Sequence, residues 1–421
     1  MERYATSQLR LAEISLKQPP NSMRSGALLL VLATLVGCRE SATSTAGSTS
    51  LPIEPNDEGA SGCVGPDQTF TAGQVPSTVT LATLSIAPES QLAAARGGEV
   101  LYATGAGATV VQLDFTGGAV PVETTLVSAG VVATLYAQPD IGIVDPPVLS
   151  AITVLDADSL VVMEQTANVL LLVSRTTPDD VSLLAGQPSL LPGFADGFAN
   201  DPGGPGSPLP LCRFSFDRPA ELVATGEMPP RVFINDPGNH ALRQLDFTSG
   251  FVSTLAGSGA PFFEDGDLSQ TLFDTPVGMT LACDDALVLS EASGSVAGNR
   301  LRRVTIGASN PFGGGLFGIS STLAGDGMDM TTEGVGELAS LGSPASPFAT
   351  ASGELYWVDS TSGVLRRLSG EMVDCPLHTD CATAVGAPNF SPGGVFSVTQ
   401  TEGGVLYVLD ATAGTLFRVT P

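Results

Sequence analysis

Basic residues are scarce in this chain. Against 43 Asp and Glu stand 17 Lys and Arg, giving a net charge of −26 over 421 residues, and Lys17 is the one lysine. A chain this acidic repels phosphate backbones, and its arginines form no basic patch, which excludes nucleic acid as a partner. Histidine is scarcer still, with only His240 and His378. Two imidazoles in unrelated settings cannot supply a three-His zinc site. There is no Cys-x-x-Cys pair, no Gly-x-Ser-x-Gly elbow and no P-loop, so zinc ribbons, serine hydrolases of the elbow type and P-loop NTPases are excluded. Nor is any apolar run as long as the ~20 residues that a membrane-spanning helix needs.

What remains is a chain built to bury itself. It is 43% hydrophobic and only 14% charged, with 49 Gly and 31 Pro. That composition suits a large core of short strands joined by many turns.

The amino terminus carries an address. Gly26-Ala-Leu-Leu-Leu-Val-Leu-Ala-Thr-Leu-Val-Gly37 follows Arg24 without a charge, as a signal-peptide apolar region does. It ends in Leu35-Val-Gly-Cys38, which resembles the lipobox of bacterial lipoproteins. The resemblance implies a signal peptide over 1–37, cleavage before Cys38 and lipid on that cysteine. An ordinary secretory signal with a chance cysteine is the alternative. Residues 1–22 are long and polar for a signal, and Met23 would head one of ordinary length. Residues 38–74, rich in Ser, Thr, Gly and Pro, read as a tether with an end-to-end distance of about 30–36 Å. Export fits the cysteines: Cys375 and Cys381 are expected to form a local disulfide. Cys212 and Cys283 are candidates for a second bridge, since sequence does not decide connectivity.

From residue 75 onward a phrase repeats. Small or apolar residues, usually ending in an acid, recur at Leu101–Gly105, Leu160–Glu164, Val232–Asp236, Leu287–Glu291, Leu355–Asp359 and Leu406–Asp410. A second phrase follows in four copies: Thr125–Gly130, Ser182–Gly186, Ser253–Gly257 and Ser321–Gly325. A proline (Pro147, Pro219, Pro276, Pro344 or Pro392) opens most units. Each unit reads as four short strands, A to D, with the acid at the end of strand B. Four antiparallel strands repeated radially make a β-propeller, and six copies make six blades. The spacing of the copies exceeds the roughly 40–45 residues of a lean blade, so long loops are inserted, mostly in the D–A connections at 187–218, 258–275 and 326–343. The last unit has three strands only. Thr78–Leu84 has the wording of a strand D and is expected to close the ring on blade 6; an open array with unrelated ends is the alternative.

Leu255-Ala-Gly257, Asp265-Gly266, Phe273-Asp-Thr-Pro276 and Asn239-His-Ala-Leu-Arg243 resemble NHL repeats. Phe216-Asp-Arg-Pro219 and Leu365-Arg366 repeat parts of that pattern. The resemblance covers 180–370 well and implies an all-β, six-bladed propeller of four-stranded antiparallel blades.

Loops on a rigid scaffold usually carry function. The candidate binding face is therefore the one beside the strand B tips and D–A loops, with Glu164, Asp236, Asn239, Asp265, Glu291, Asp359 and Asp410. Turn formation competes for Asp236 to Asn239. The loops at Asp196-Gly197, Asp265-Gly-Asp267 and Asp326-Gly327 could offer oxygens to Ca²⁺, but they lack the dense acids of an EF-hand. No other cofactor is expected. The function expected is a binding or scaffold module of the cell envelope, held to the membrane only by its lipid, with a protein or saccharide ligand. Two alternatives stay open. One is a metal-dependent lactonase or lyase, for which the resemblance to related propellers would want an inward Glu, Asn and Asp such as Glu164, Asn235 and Asp236. The other is a purely structural envelope protein.

Overall fold

A computed structural model describes residues 70–420, apart from 96, 136–144, 187–192, 199–215, 217–219, 227–228, 293–297, 308–317 and 352. The signal segment, Cys38 and the tether up to residue 69 lie outside the described residues, as does Cys212. Six antiparallel sheets make six blades. Blade 1 comprises Leu92–Ala94, Val100–Gly105, Thr109–Asp114 and Val122–Val127. Blade 2 comprises Leu149–Val154, Ser159–Glu164, Val169–Ser174 and Val181–Ala185. Blade 3 comprises Glu221–Ala224, Arg231–Asp236, Ala241–Asp246 and Phe251–Gly257. Blade 4 comprises Pro276–Leu281, Leu287–Glu291, Arg300–Ile306 and Gly318–Ala324. Blade 5 comprises Pro344–Ala349, Leu355–Asp359, Val364–Ser369 and Met372–Asp374. Blade 6 takes Phe396–Gln400, Leu406–Asp410 and Thr415–Val419 from the carboxyl end. Its outer strand, Ser77–Val79, comes from the other end of the propeller and pairs with Leu416–Arg418.

The six A strands touch in sequence around a closed circle, the last against the first. The core is correspondingly divided into six wedges, one between each pair of neighbouring blades. This explains the composition of strand B. Packed on both faces, it has no solvent side, and Leu355–Asp359 is buried at every position; its sequence therefore reads as a continuous apolar run rather than an alternation. Strand D lies at the rim and has exposed positions, as at Val122, Thr124 and Thr125.

In three blades the expected four strands become five. Two residues of each long D–A connection pair with strand D of the next blade: Gly197–Phe198 on blade 3, Gly266–Asp267 on blade 4 and Gly334–Val335 on blade 5. The added pairs cover part of an outer edge that would otherwise expose unpaired N–H and C=O groups.

The inner edge is satisfied differently. Strand A has no ladder partner toward the ring centre, and side chains of the adjacent blade supply some partners. Thr153 Oγ1 accepts from Ala224 N at 3.2 Å, Ser346 Oγ from Val398 N at 2.9 Å and Ser397 Oγ from Leu92 N at 3.0 Å. Asn235 Nδ2 donates to Gly278 O at 2.9 Å. Blades 4 and 5 approach closely at Gly278, where a Cβ would lie 2.6 Å from Pro347 Cδ and 2.7 Å from Ser346 N; any side chain would push the blades apart.

Closure is a strap rather than a single strand. Phe70 packs edge-on against Tyr356 of blade 5, Ser77–Val79 completes blade 6, and residues 82–84 dock on blade 1. There the Glu123 carboxylate accepts from the backbone N–H groups of Ala82, Thr83 and Leu84 and from the Thr83 hydroxyl. The strap also explains why blade 1 lacks the strand B acid. A Cβ at Gly105 would meet Leu84 Cδ1 at 2.6 Å and Ser85 O at 2.8 Å, so the space that an acid would fill holds the strap. A further tie joins blades 6 and 1, where Glu99 accepts from Thr401 Oγ1 and Gly403 N at 2.6 and 2.7 Å.

Burial would raise the Glu123 pKa, but the donors from Thr83, Ala82 and Leu84 outweigh it and hold the pKa below 4.5. Its contribution to stability is thus present above pH 4.5 and lost as pH falls through the depressed value. Glu123→Ala is expected to cost about 1–2 kcal/mol in urea unfolding at pH 7, a difference that shrinks toward pH 3. An unchanged midpoint at pH 7 would show that this anchor does not hold the ring.

Candidate functional site

The strand B acids lie where strand B turns into strand C, at the foot of each D–A connection. Glu164, Asp236, Glu291, Asp359 and Asp410 are all fully buried, and each is engaged inside the protein. Glu164 accepts from Val148, Thr166 and Ala167 N at 3.0, 2.9 and 2.7 Å. Asp410 accepts from Ser391 and Ala413 N at 2.9 and 2.8 Å. Each of these two carboxylates thereby holds the incoming connection to its own B–C turn.

In blades 3, 4 and 5 an arginine takes part. Arg243, Arg302 and Arg366 pair in register with Ile234, Leu289 and Trp357 and have no exposed side-chain surface. Arg243 bonds Asp236 at 3.1 Å, Arg302 bonds Glu291 at 3.0 Å and Arg366 bonds Asp359. The guanidinium also reaches the Asp-Gly loop of the outer strand. Asp196 accepts from Arg243 at 3.0 Å and from Thr254 Oγ1 at 2.8 Å. Asp265 accepts from Arg302 Nη2 at 2.6 Å and from Thr322 N and Oγ1, both at 2.9 Å. Aromatic rings flank the cation: Phe194 and Phe216 for Arg243, Phe263 and Phe273 for Arg302, Trp357 for Arg366. Where the register places Val111, Leu171 or Phe417 instead of arginine, the acid is absent or, as above, takes backbone donors.

The third loop of this kind is not Asp326-Gly327. The carbonyls before Asp196 and Asp265, those of Ala195 and Glu264, accept from their arginines at 2.6 and 2.9 Å. The equivalent carbonyl in blade 5 is Thr332 O, 2.8 Å from Arg366, which makes Glu333-Gly334 the counterpart. Glu333 is longer by one methylene and bonds instead to Cys381 N at 2.9 Å. Asp326 accepts from Met328 N and Ser340 Oγ. The Asp-Gly wording suggested Ca²⁺ because the arginine partner lies 37–47 residues away in the chain.

Asn239, also buried, donates to Asp236 and to Gly193 O at 2.8 and 2.7 Å. Its neighbour His240 sits in the left-handed region at φ 49° and receives Thr275 N on Nδ1 at 3.1 Å, joining blade 3 to blade 4. Of the seven candidate face residues, only Asp265 keeps substantial contact with solvent, its side chain being 33% exposed. Burial pushes Glu291 up to about 7 against the pull of Arg302. For Asp265, burial pulls upward, but Arg302 and Thr322 prevail and hold its carboxyl low. The Glu164, Asn235 and Asp236 that a lactonase-like centre would use are each bound within or between blades. Among the described residues no group of three or more His, Cys, Asp or Glu is placed to hold a metal.

Cys375 and Cys381 are bonded at 2.06 Å, just after the outer strand of blade 5. Cys283 is also disulfide-bonded; its expected partner Cys212 lies outside the described residues.

A propeller implies a channel at the ring centre, but nothing in the sequence singled out the residues that line it. It is lined by the A strands of all six blades and encloses about 130 Å³. Apolar and polar residues both line it, with slightly more polar than apolar surface: Ala, Val, Leu, Ile, Met, Phe and Pro alongside the hydroxyl-bearing Thr153, Thr280, Ser346, Ser397 and Thr399 and, among the described residues, one ionisable group, Glu221.

Removing a buried arginine leaves its carboxylates uncompensated. Arg302→Ala is expected to cost about 3–5 kcal/mol in denaturant unfolding. Arg302→Lys should restore only part of this, since an ammonium cannot span Glu291, Asp265 and the Glu264 carbonyl together. A loss below about 1 kcal/mol for Arg302→Ala would show that the network is dispensable.

No family model and no curated protein matches the chain. Among solved structures it is similar to an auxiliary nutrient binding protein from Bacteroides ovatus, at 10% identity and TM-score 0.50, over 84% of this chain and 76% of that one. It is similar to another from Bacteroides thetaiotaomicron, at 11% and 0.49, over 80% and 69%. A gluconolactonase from Xanthomonas campestris follows at 13% and 0.48, over 84% and 97%. At such identities the likeness is one of fold: this chain is a six-bladed β-propeller.

Proposed function

We propose that this chain is an NHL-type propeller of the bacterial cell envelope, lipidated at Cys38, which acts as a binding module for a protein or a saccharide. The observation that carries the binding reading is the engagement of the buried carboxylates. Each strand B acid is held by donors of its own blade or incoming connection, which supports reading the blade tips as a rigid frame that displays the connecting loops. The NHL-type reading is supported by where its wording falls. The Asp-Gly, Phe-x-x-Pro, acid and Leu-Arg elements of blade 4 all meet at Arg302. Envelope placement rests on the Leu35-Val-Gly-Cys38 motif and on the two described disulfide-bonded sites, which suit an oxidising compartment.

Two experiments test this. In a bacterial host the full chain is expected to fractionate with membranes and to take up labelled palmitate, and Cys38→Ser is expected to become soluble and unlabelled. Membrane retention of the variant would end the lipoprotein reading. The purified chain is then screened against envelope saccharides and envelope extract, with Ca²⁺ and with chelator. A saturable ligand supports the binding module. An inert result in every condition favours a small-molecule enzyme or a structural role.

A further inference from the structure

The central channel has a polarity of its own, separate from the envelope reading. Strand A is the inner edge of every blade, so its ladder-free N–H and C=O groups face the ring centre. At Leu92, Ala224 and Val398 the N–H is already taken by a hydroxyl of the neighbouring blade. The polar groups that remain are weighted toward acceptors: inward carbonyls, and the second lone pairs of hydroxyls that already accept once. Glu221 lines this space, nine-tenths buried, and is the only ionisable residue on the channel wall among the described residues.

Among the described residues, nothing charged faces Glu221 from the elements packed on it. Strands Leu149–Val154 and Pro276–Leu281 contain no ionisable residue. On its hydrogen-bonded partner Arg231–Asp236, Asp236 is paired with Arg243, and Arg231 lies at the opposite end over the Phe233 ring. Glu164, at the end of strand B in blade 2, is bound to three backbone N–H groups. Burial, opposed only by the Leu222 N–H, pushes Glu221 up to about 8. A buried carboxylate without a counter-charge is costly, and a cation delivered to it repays that cost. The net charge of −26 draws cations toward such an opening.

We propose that the channel is a binding site for a small organic ammonium ion, with Glu221 as its counter-ion. A divalent metal would want six or more oxygens with several carboxylates, and the channel offers one carboxylate. Somewhat less than half of the channel surface is apolar, which leaves room for a short alkyl chain beside the ammonium group. A dry cavity on the order of 150 Å³ holds benzene, so this channel takes a molecule of about four to six non-hydrogen atoms. Binding converts Glu221 from acid to carboxylate, and the proton leaves to solvent as the ammonium enters.

The test is calorimetric titration of the full chain with n-butylammonium chloride, 1-butanol and CaCl₂ at pH 6, 7 and 8, in two buffers of different ionisation enthalpy. Butylammonium is expected to bind with release of about one proton at pH 6 and with affinity rising about tenfold from pH 6 to 7 and about fivefold from pH 7 to 8, as pH approaches the Glu221 pKa. 1-Butanol should bind at least tenfold more weakly. Glu221→Gln, which keeps the shape of the neutral acid, should lose at least tenfold in affinity and abolish proton release. Absence of butylammonium binding to the wild-type chain overturns the proposal. So does equal binding of 1-butanol, proton release that persists in Glu221→Gln, or a Glu221-dependent signal from CaCl₂ alone.

Discussion

A buried guanidinium in each of three consecutive blades organises this half of the ring. Arg302 bonds the acid at the end of strand B, the Asp-Gly loop outside strand D and a carbonyl of the connection between them, with an aromatic ring on either side. Five N–H donors in a rigid plane can be satisfied only by acceptors brought from several directions. The charge can be buried because two carboxylates and rings surround it. Three segments distant in the chain are thereby tied at one point, and the fifth strand of the blade is a consequence. Blades without the arginine have no fifth strand among the described residues.

Radial stacking leaves one junction that the chain itself must close. Here it lies between blades 6 and 1, and the strap from Phe70 to Leu84 crosses it by touching blades 5, 6 and 1 in turn. Glu123 binds its far end as a helix N-terminus binds an anion, with several backbone N–H groups on one carboxylate. The inner edge is closed more economically. A Thr or Ser on one A strand accepts the N–H of the next blade, so each such contact satisfies an edge group and fixes the angle between neighbours.

These devices divide the molecule's carboxylates into two classes. Those at the blade tips are held by donors and serve the frame; surface chemistry at that end belongs to the connecting loops. Glu221 is different, since among the described residues no donor beyond the Leu222 N–H and no cation offsets its burial. Buried polar groups in a native protein are ordinarily satisfied, and this contrast separates the channel carboxyl from its structural counterparts.

The architecture was legible in the sequence because burial on both faces writes itself into composition. Strand B reads as Leu-Tyr-Trp-Val-Asp in blade 5 and Leu-Tyr-Val-Leu-Asp in blade 6, and the unpaired Thr-Leu-Ala phrase near residue 80 pointed to closure, although the paired strand is Ser77–Val79 and the following residues bind Glu123 instead. The disulfide between Cys375 and Cys381 followed from proximity alone. The role of the tip acids could not be read this way. An Asp before an Asn-His turn looks the same whether it faces solvent or Arg243, because the partner's direction depends on which face of strand C the arginine occupies. Glu333 was overlooked for Asp326 for the same reason, and Glu221 has no local signal at all. Local pattern thus determined strand, turn and blade, since these depend on neighbours in the chain. Which carboxylates are neutralised, and which one stands alone in the channel, only the closed ring decided, because counter-charge and desolvation are set by residues that meet through space.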